Sequence, residues 1–98
     1  MCGAKKGGLS LQGVDVDKEA VIQGQVLRGD EPVGGAYVRL LDAGGEFTAE
    51  VPTSATGHFR FFAAPGSWTL RTLAPKAEPV DRQVVARYGE VAEVAVAV

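Results

Sequence analysis

Cys2 is the only cysteine of the 98-residue chain and the first residue whose side chain could do chemistry. It lies in a glycine- and lysine-rich segment, where burial in a core does not explain it. Removal of Met1, which the small second residue favours, would place the thiol beside the α-ammonium, with Lys5 and Lys6 nearby. Positive charge lowers a thiol pKa from ~8.5 and favours the thiolate, the form that attacks a persulfide. We predict an exposed, sulfur-accepting thiol; the alternative is an unimportant cysteine in a disordered segment.

His58 is the only histidine, and no second histidine or cysteine lies close to it in sequence to complete a zinc site. A Cys–His nucleophile pair would require Cys2 to fold back onto the strand that carries His58, and the sequence leaves that open. Acidic residues fall in turns without the spacing of a calcium loop, and no serine stands in a G-x-S-x-G motif. We therefore expect no metal, no cofactor and no catalytic residue, and we predict that the protein is not an enzyme.

Charge and composition argue against two classes of partner. Ten basic and twelve acidic residues give a net charge of −2, whereas nucleic acids and anionic membranes attract basic surfaces. No apolar run approaches the ~18 residues that cross a bilayer, and the first ten residues lack the apolar region of a signal peptide. Small secreted domains usually carry several disulfides, whereas the one cysteine of this chain cannot form an intramolecular disulfide. We expect a cytoplasmic protein with no nucleic-acid partner and no membrane partner.

Short strands separated by glycine and proline turns account for most of the chain. Alternation of apolar and polar residues predicts seven strands, the first at 20–27 and the last at 90–98. No segment has helical spacing and no connection leaves room for a crossover helix, so the pairing should be mainly antiparallel. The sequence predicts an all-β, antiparallel, seven-stranded sandwich at 19–98, preceded by a flexible N-terminal tail at 1–18.

The alternation also assigns faces to the side chains. The predicted core consists of Ile22, Val26, Val38, Leu40, Phe47, Phe59, Phe61, Trp68, Leu70, Val94 and Val96. Tyr37, Leu41, Phe62 and Leu73 fall on the opposite faces. If they cluster, they form an apolar surface for a protein partner or a second copy of the chain. The alternatives are that both faces of a central strand are covered, or that the faces are inverted.

Four motifs in order resemble those of the carboxypeptidase-regulatory or transthyretin-like domain. They are I-x-G-x-V at 22–26, P-x-x-G-A-x-V at 32–38, G-x-F-x-F at 57–61 and P-G-x-[YW]-x-L at 65–70. The resemblance implies that the sandwich has the Greek-key transthyretin (prealbumin) topology. It implies little about function, because this fold is a generic accessory scaffold.

A closer resemblance spans nearly the whole chain. The opening Met1-Cys2-Gly3 and the segments 39–42, 46–51 and 54–71 are similar to the SseC-type bacterial family, and 59–70 is especially characteristic. Its members are small, of uncharacterised activity, and typically encoded beside a thiosulfate sulfurtransferase, which implies a link to sulfur metabolism by association. We therefore predict a non-catalytic accessory protein that accepts sulfur through Cys2 or binds a thiosulfate sulfurtransferase. A generic transthyretin-like interaction module is the alternative. A stand-alone enzyme is disfavoured, because no nucleophile, base and orienting group occur together.

Overall fold

The computed structural model describes residues 20–98, together with the backbone of two short N-terminal strands. These strands, β1 (Lys5–Lys6) and β2 (Leu9–Ser10), pair antiparallel with each other. The rest of the predicted tail at 1–18, including Cys2, lies outside the described residues.

Eight strands form the domain, and residues 20–98 contain no helix. The strands are β3 (Ala20–Arg28), β4 (Glu31–Pro32), β5 (Tyr37–Leu41), β6 (Phe47–Pro52), β7 (His58–Ala63), β8 (Gly66–Leu73), β9 (Val80–Ala86) and β10 (Val91–Ala97). The sequence predicts seven; the additional strand is β4, which turns back at once to pair with the end of β3. The search for a membrane-spanning helix finds none in the described part of the chain.

The strands form two sheets, which confirms the predicted all-β sandwich. In the first sheet β3 lies between β10 and β7, with β4 beside its C-terminal end; the second has the order β6-β5-β8-β9. Every pair is antiparallel except β3 and β10, which run parallel from Val91↔Val21 to Ala97↔Leu27. A parallel pair needs a long crossover connection. Here the rest of the domain lies between its first and last strands and provides it, so no crossover helix is required.

Apolar side chains of alternating residues meet between the two sheets. Most predicted core residues are buried there, namely Ile22, Val26, Val38, Leu40, Phe59, Phe61, Leu70 and Val96. Trp68 and Val94 are half-buried and pack against this cluster. The period-2 pattern therefore identifies the inward face correctly on most strands.

Phe47 is the core prediction that is wrong, because its side chain is 62% exposed. A β-bulge separates it from the rest of β6: Leu40 pairs with Ala49, but Leu41 pairs with Phe47, so Thr48 is an extra residue. One inserted residue moves the side chains beyond it to the other face of the sheet. Phe47 consequently points outward, whereas Ala49 stays against the core.

Gly24, on the middle strand of the first sheet, is closely approached from both neighbouring strands. It pairs with Val94 on one side and with Phe59 on the other. A Cβ at this position would overlap the backbone carbonyl oxygen of Val94 and lie 2.9 Å from Cζ of Phe59. Only glycine therefore fits here, and the absence of a side chain lets the Phe59 ring lie against the β3 backbone.

We expect Gly24→Ala to lower the free energy of unfolding by about 1–3 kcal/mol, because the β10 backbone must shift to admit the methyl group. Urea unfolding followed by the fluorescence of Trp68, the only tryptophan, measures the loss. Gly44→Ala is the matched control, since a Cβ there meets only Oδ1 of Asp42, at 3.5 Å. Equal urea midpoints for Gly24→Ala and the wild type would contradict the close approach.

Candidate functional site

The edge of β7 that faces away from β3 has no strand partner in the part of the chain that is described. The N–H of Val26 donates to the carbonyl of Gly57 at 2.8 Å, which fixes the phase of the β3–β7 ladder. Hydrogen-bonded and non-bonded pairs alternate in an antiparallel ladder. The odd-numbered residues of β7 therefore bond to β3, whereas the N–H and C=O groups of Arg60 and Phe62 point outward. Such groups can pair with another extended chain.

A groove of about 350 Å³ lies beside this edge, between β6 of one sheet and β7 of the other. It is lined by residues 51–54, His58, Phe59 and Arg60. The opposite side of the sandwich is bridged, because Nη1 of Arg82 on β9 donates to the carbonyl of Ala95 on β10 at 2.9 Å. The β6/β7 side is therefore the more open of the two.

The other wall of the groove, β6, is an edge that resists strand addition. Thr53 donates its N–H to the carbonyl of Ala36 at 2.8 Å, so the alternating pattern turns the backbone groups of Glu50 and Pro52 outward. Proline has no N–H to donate, and both an edge charge and a bulge discourage pairing. Of the two strands at the groove, β7 is the better edge for a new strand.

A polar row crosses the outer face of the first sheet and ends at this edge. Nε of Arg60 donates to Oε1 of Gln23 at 3.0 Å, and Nε2 of Gln23 donates to Oε2 of Glu93 at 3.2 Å. The three residues are cross-strand neighbours on β7, β3 and β10. The row therefore begins with the carboxylate of Glu93 on β10, continues through the amide of Gln23 on β3, and ends with the guanidinium of Arg60 on the free edge of β7.

Arginines on the outer face of the second sheet have carboxylate partners. Arg39 Nε lies 2.8 Å from Glu50 Oε2, and Arg71 makes two hydrogen bonds to Asp81, at 2.9 and 3.0 Å. The hydrogen bonds from Arg71 hold the pKa of Asp81 below its ordinary value. Arg60 differs: no carboxylate within residues 20–98 forms an ion pair with it, and its Nη2 is buried without a hydrogen-bond partner.

His58 begins β7 and is held by the turn that precedes it. Its Nδ1 lies 2.8 Å from Thr56 Oγ1, and its N–H donates to Ser54 Oγ at 3.1 Å. Ser54 in turn donates its N–H to the His58 carbonyl at 2.9 Å. The Cys–His pair that the sequence leaves open stays untested, because Cys2 lies outside the described residues. Within the described residues no three metal-ligating side chains come together.

Thr53 anchors the groove to the neighbouring loop. Its buried hydroxyl donates to the carbonyl of Val33 at 2.9 Å and accepts from the N–H of Ala36 at 3.0 Å. These bonds fasten the end of β6 to the loop between β4 and β5. The turn at 54–57, and with it the start of β7, therefore has a fixed position relative to the second sheet.

The four residues of the predicted interaction surface do not form one patch. Tyr37 and Leu73 are cross-strand neighbours on the outer face of the second sheet, where Tyr37 is exposed and Leu73 is half-buried. Leu41 lies on the same face but is buried, and Phe62 projects from the outer face of the first sheet. Alternation shows which side of a strand a residue occupies but not which sheet the strand joins. A contact with a partner at these residues stays a prediction.

Thr53→Val should lower the free energy of unfolding by about 1–3 kcal/mol, since it leaves the buried N–H of Ala36 without its side-chain acceptor. Thr53→Ser keeps the hydroxyl and should retain most of the stability. Urea unfolding of both variants measures the difference. Equal stability of Thr53→Val and Thr53→Ser would contradict the anchoring role of the hydroxyl.

Solved structures with this fold include a bacterial pilin subunit and the TIE protein of Bacillus anthracis. The major pilin subunit of Bacillus cereus superposes with a TM-score of 0.71 at 19% identity, covering 81% of this chain and 28% of the pilin. The Bacillus anthracis TIE protein gives a TM-score of 0.70 at 15% identity, covering 79% of this chain and 16% of that protein. The chain thus corresponds to a minor part of each, and identities this low establish a shared fold alone.

Relatives of higher identity occur in mycobacteria. The uncharacterized protein Rv0814c of Mycobacterium tuberculosis is 64% identical over 76 residues, which is 76% of each chain. An uncharacterized protein of Mycolicibacterium smegmatis is 65% identical over 63 residues, covering 63% of this chain and 70% of its own. A family model described as protein of unknown function (DUF1416) matches residues 2–98. The family description and these names assign no activity and do not mention sulfur. The chain belongs to the DUF1416 family.

Proposed function

We propose that this domain is a non-catalytic interaction module that binds an extended segment of a partner protein along the free edge of β7. The observation that carries the proposal is the outward direction of the backbone groups of Arg60 and Phe62, which have no strand partner in residues 20–98. In strand addition, main-chain hydrogen bonds supply affinity and pockets for alternate side chains supply specificity. The edge and the groove beside it provide both.

The added segment would become the next strand of the sheet in which β3 is central. It would lie ~4.8 Å from β7 and project its side chains alternately onto the outer face and into the groove. On the outer face it would meet the ring of Phe62, which is 53% exposed. On the other side it would approach residues 51–54 of the groove wall.

Amide hydrogen exchange measured by NMR tests the free edge. The N–H groups of Arg60 and Phe62 should exchange faster than those of Phe59 and Phe61, because only the latter pair bond to β3. The neutral peptide TVTQTVT, acetylated and amidated, should slow exchange at Arg60 and Phe62. The analogue TPTQTPT, which lacks two of the N–H groups that would face β7, should not. Equal protection of all four amides at every protein concentration would contradict an open edge.

Two variants at one position separate the backbone contribution from that of the side chain. Phe62→Pro removes an outward N–H and leaves the ladder to β3 intact, so it should abolish peptide binding with little loss of stability. Phe62→Ala keeps the N–H and is the matched control, which should still bind, though more weakly. Binding by Phe62→Pro equal to that of the wild type would show that strand addition at β7 is wrong.

A narrower proposal concerns sulfur metabolism, and we base it on the sequence alone. Cys2 is the single thiol of the chain and lies in a basic segment, and the SseC-type resemblance associates the chain with a thiosulfate sulfurtransferase. The Cys2 thiolate would attack the outer sulfur of the enzyme's persulfide. A new S–S bond would form at Cys2 while the enzyme's S–S bond breaks and releases its thiolate, so no further oxidant is needed.

Intact-mass spectrometry tests this transfer. Incubation with thiosulfate and a thiosulfate sulfurtransferase should add one sulfur atom to the wild type, and a reductant should remove it. Cys2→Ser should gain none while keeping the same NMR spectrum. If the wild type gains no sulfur, or Cys2→Ser gains as much, the carrier proposal is wrong, and strand addition at β7 is unaffected.

A further inference from the structure

We infer that the segment bound at β7 carries a carboxylate side chain opposite Arg60, an inference that rests on the proposed strand addition. The basis is the polar row on the outer face of the first sheet, in which Glu93, Gln23 and Arg60 are linked side chain to side chain. A strand added at β7 contributes the next residue of this row, because side chains directly opposite each other project from the same face.

The charge environment of Arg60 leaves a place for an anion. Arg60 is half-buried as a residue, and within residues 20–98 its guanidinium makes one side-chain hydrogen bond, to the neutral amide of Gln23. Withdrawing a charge from water is unfavourable unless it is paired, and a carboxylate is the strongest partner for a guanidinium. The nearest acidic residue of the row, Glu93, lies two strands away, at ~9–10 Å of sheet width. The other residues of β7 on this face, His58 and Phe62, carry no carboxylate.

The spacing along the bound segment follows from the same register. The residue opposite Phe62 is two positions from the residue opposite Arg60 and projects from the same face. Since Phe62 is an exposed aromatic ring, an apolar side chain at that position would cover it. The bound segment should therefore carry an acidic residue with an apolar residue two positions away, in an extended, β-prone sequence.

A second copy of this chain fits the edge less well. When two β7 strands pair antiparallel through their outward groups, Arg60 meets Arg60, Phe62 or His58 of the other copy, depending on the register. None of these residues supplies a carboxylate, and the pairing of Arg60 with Arg60 brings like charges together. Charge complementarity therefore favours an acidic segment of a partner protein.

The experiment compares the acidic peptide TVTETVT with its neutral analogue TVTQTVT by NMR titration. With the wild type, the acidic peptide should bind about tenfold more tightly, the effect of one charge-assisted hydrogen-bonded pair. Arg60→Gln should reduce its affinity to that of the neutral peptide, whereas Arg60→Lys, which keeps the charge, should retain part of the preference. Arg39→Gln is the matched control for net charge, because Arg39 lies on the other sheet, and should leave the preference unchanged.

Three results would overturn the inference, and they differ in whether the proposed strand addition at β7 survives. If both peptides protect the Arg60 and Phe62 amides with equal affinity, the carboxylate is wrong and strand addition remains supported. If neither peptide protects these amides, strand addition fails as well. If sedimentation shows a wild-type dimer that Phe62→Pro converts to a monomer, the edge belongs to a second copy of the chain.

Discussion

The close approach of the Val94 backbone and the Phe59 ring to Gly24 is the constraint on which the rest of the structure depends. The strand that carries this glycine is the middle of the first sheet and holds both β10 and β7. A side chain at this point would overlap the Val94 carbonyl and press on the Phe59 ring. Because β3 pairs along its length with both β10 and β7, it joins the first and last strands of the domain and positions the β7 edge.

The free edge is a consequence of how the two sheets end. On one side of the sandwich, Arg82 reaches from β9 to the backbone of β10 and ties the two sheets together. On the other side, β6 is protected by Pro52, by the outward charge of Glu50 and by the bulge at Thr48. Within the described residues β7 has neither a proline nor a bulge, and Arg60 is its one edge charge. The open edge, the groove and the Arg60 guanidinium therefore coincide at one place.

Local sequence patterns predict the features that depend on neighbours along the chain. Alternation identifies the sandwich and places Ile22, Leu40 and Leu70 in its core, because one buried face per strand leaves a period-2 signal. The same alternation misplaces Phe47, since an inserted residue such as Thr48 leaves no mark in composition. The motif glycine at 24 signals a close approach but not which strands make it.

Features set by distant pairings were beyond the reach of these patterns. The parallel pairing of β3 with β10 joins residues about seventy positions apart, as Gln23 and Glu93 illustrate. For the same reason the sequence places Phe62 and Tyr37 on outward faces without revealing that they belong to different sheets. Arg60 gives no signal at all, because an arginine on a solvent-facing strand position is ordinary until its partners are known. Only Pro52 hints at an edge.

Intermolecular nuclear Overhauser effects (NOEs) between the labelled domain and bound TVTETVT test the central claim most directly. They report which protons of the domain lie next to the peptide backbone, whereas amide exchange reports only that the peptide protects them. Strand addition at β7 predicts cross-strand contacts from the amide protons of Arg60 and Phe62 to the peptide backbone, with the peptide glutamate near the Arg60 side chain. Contacts confined to β6, β9 or β10, with none to β7 from a saturating peptide, would contradict it.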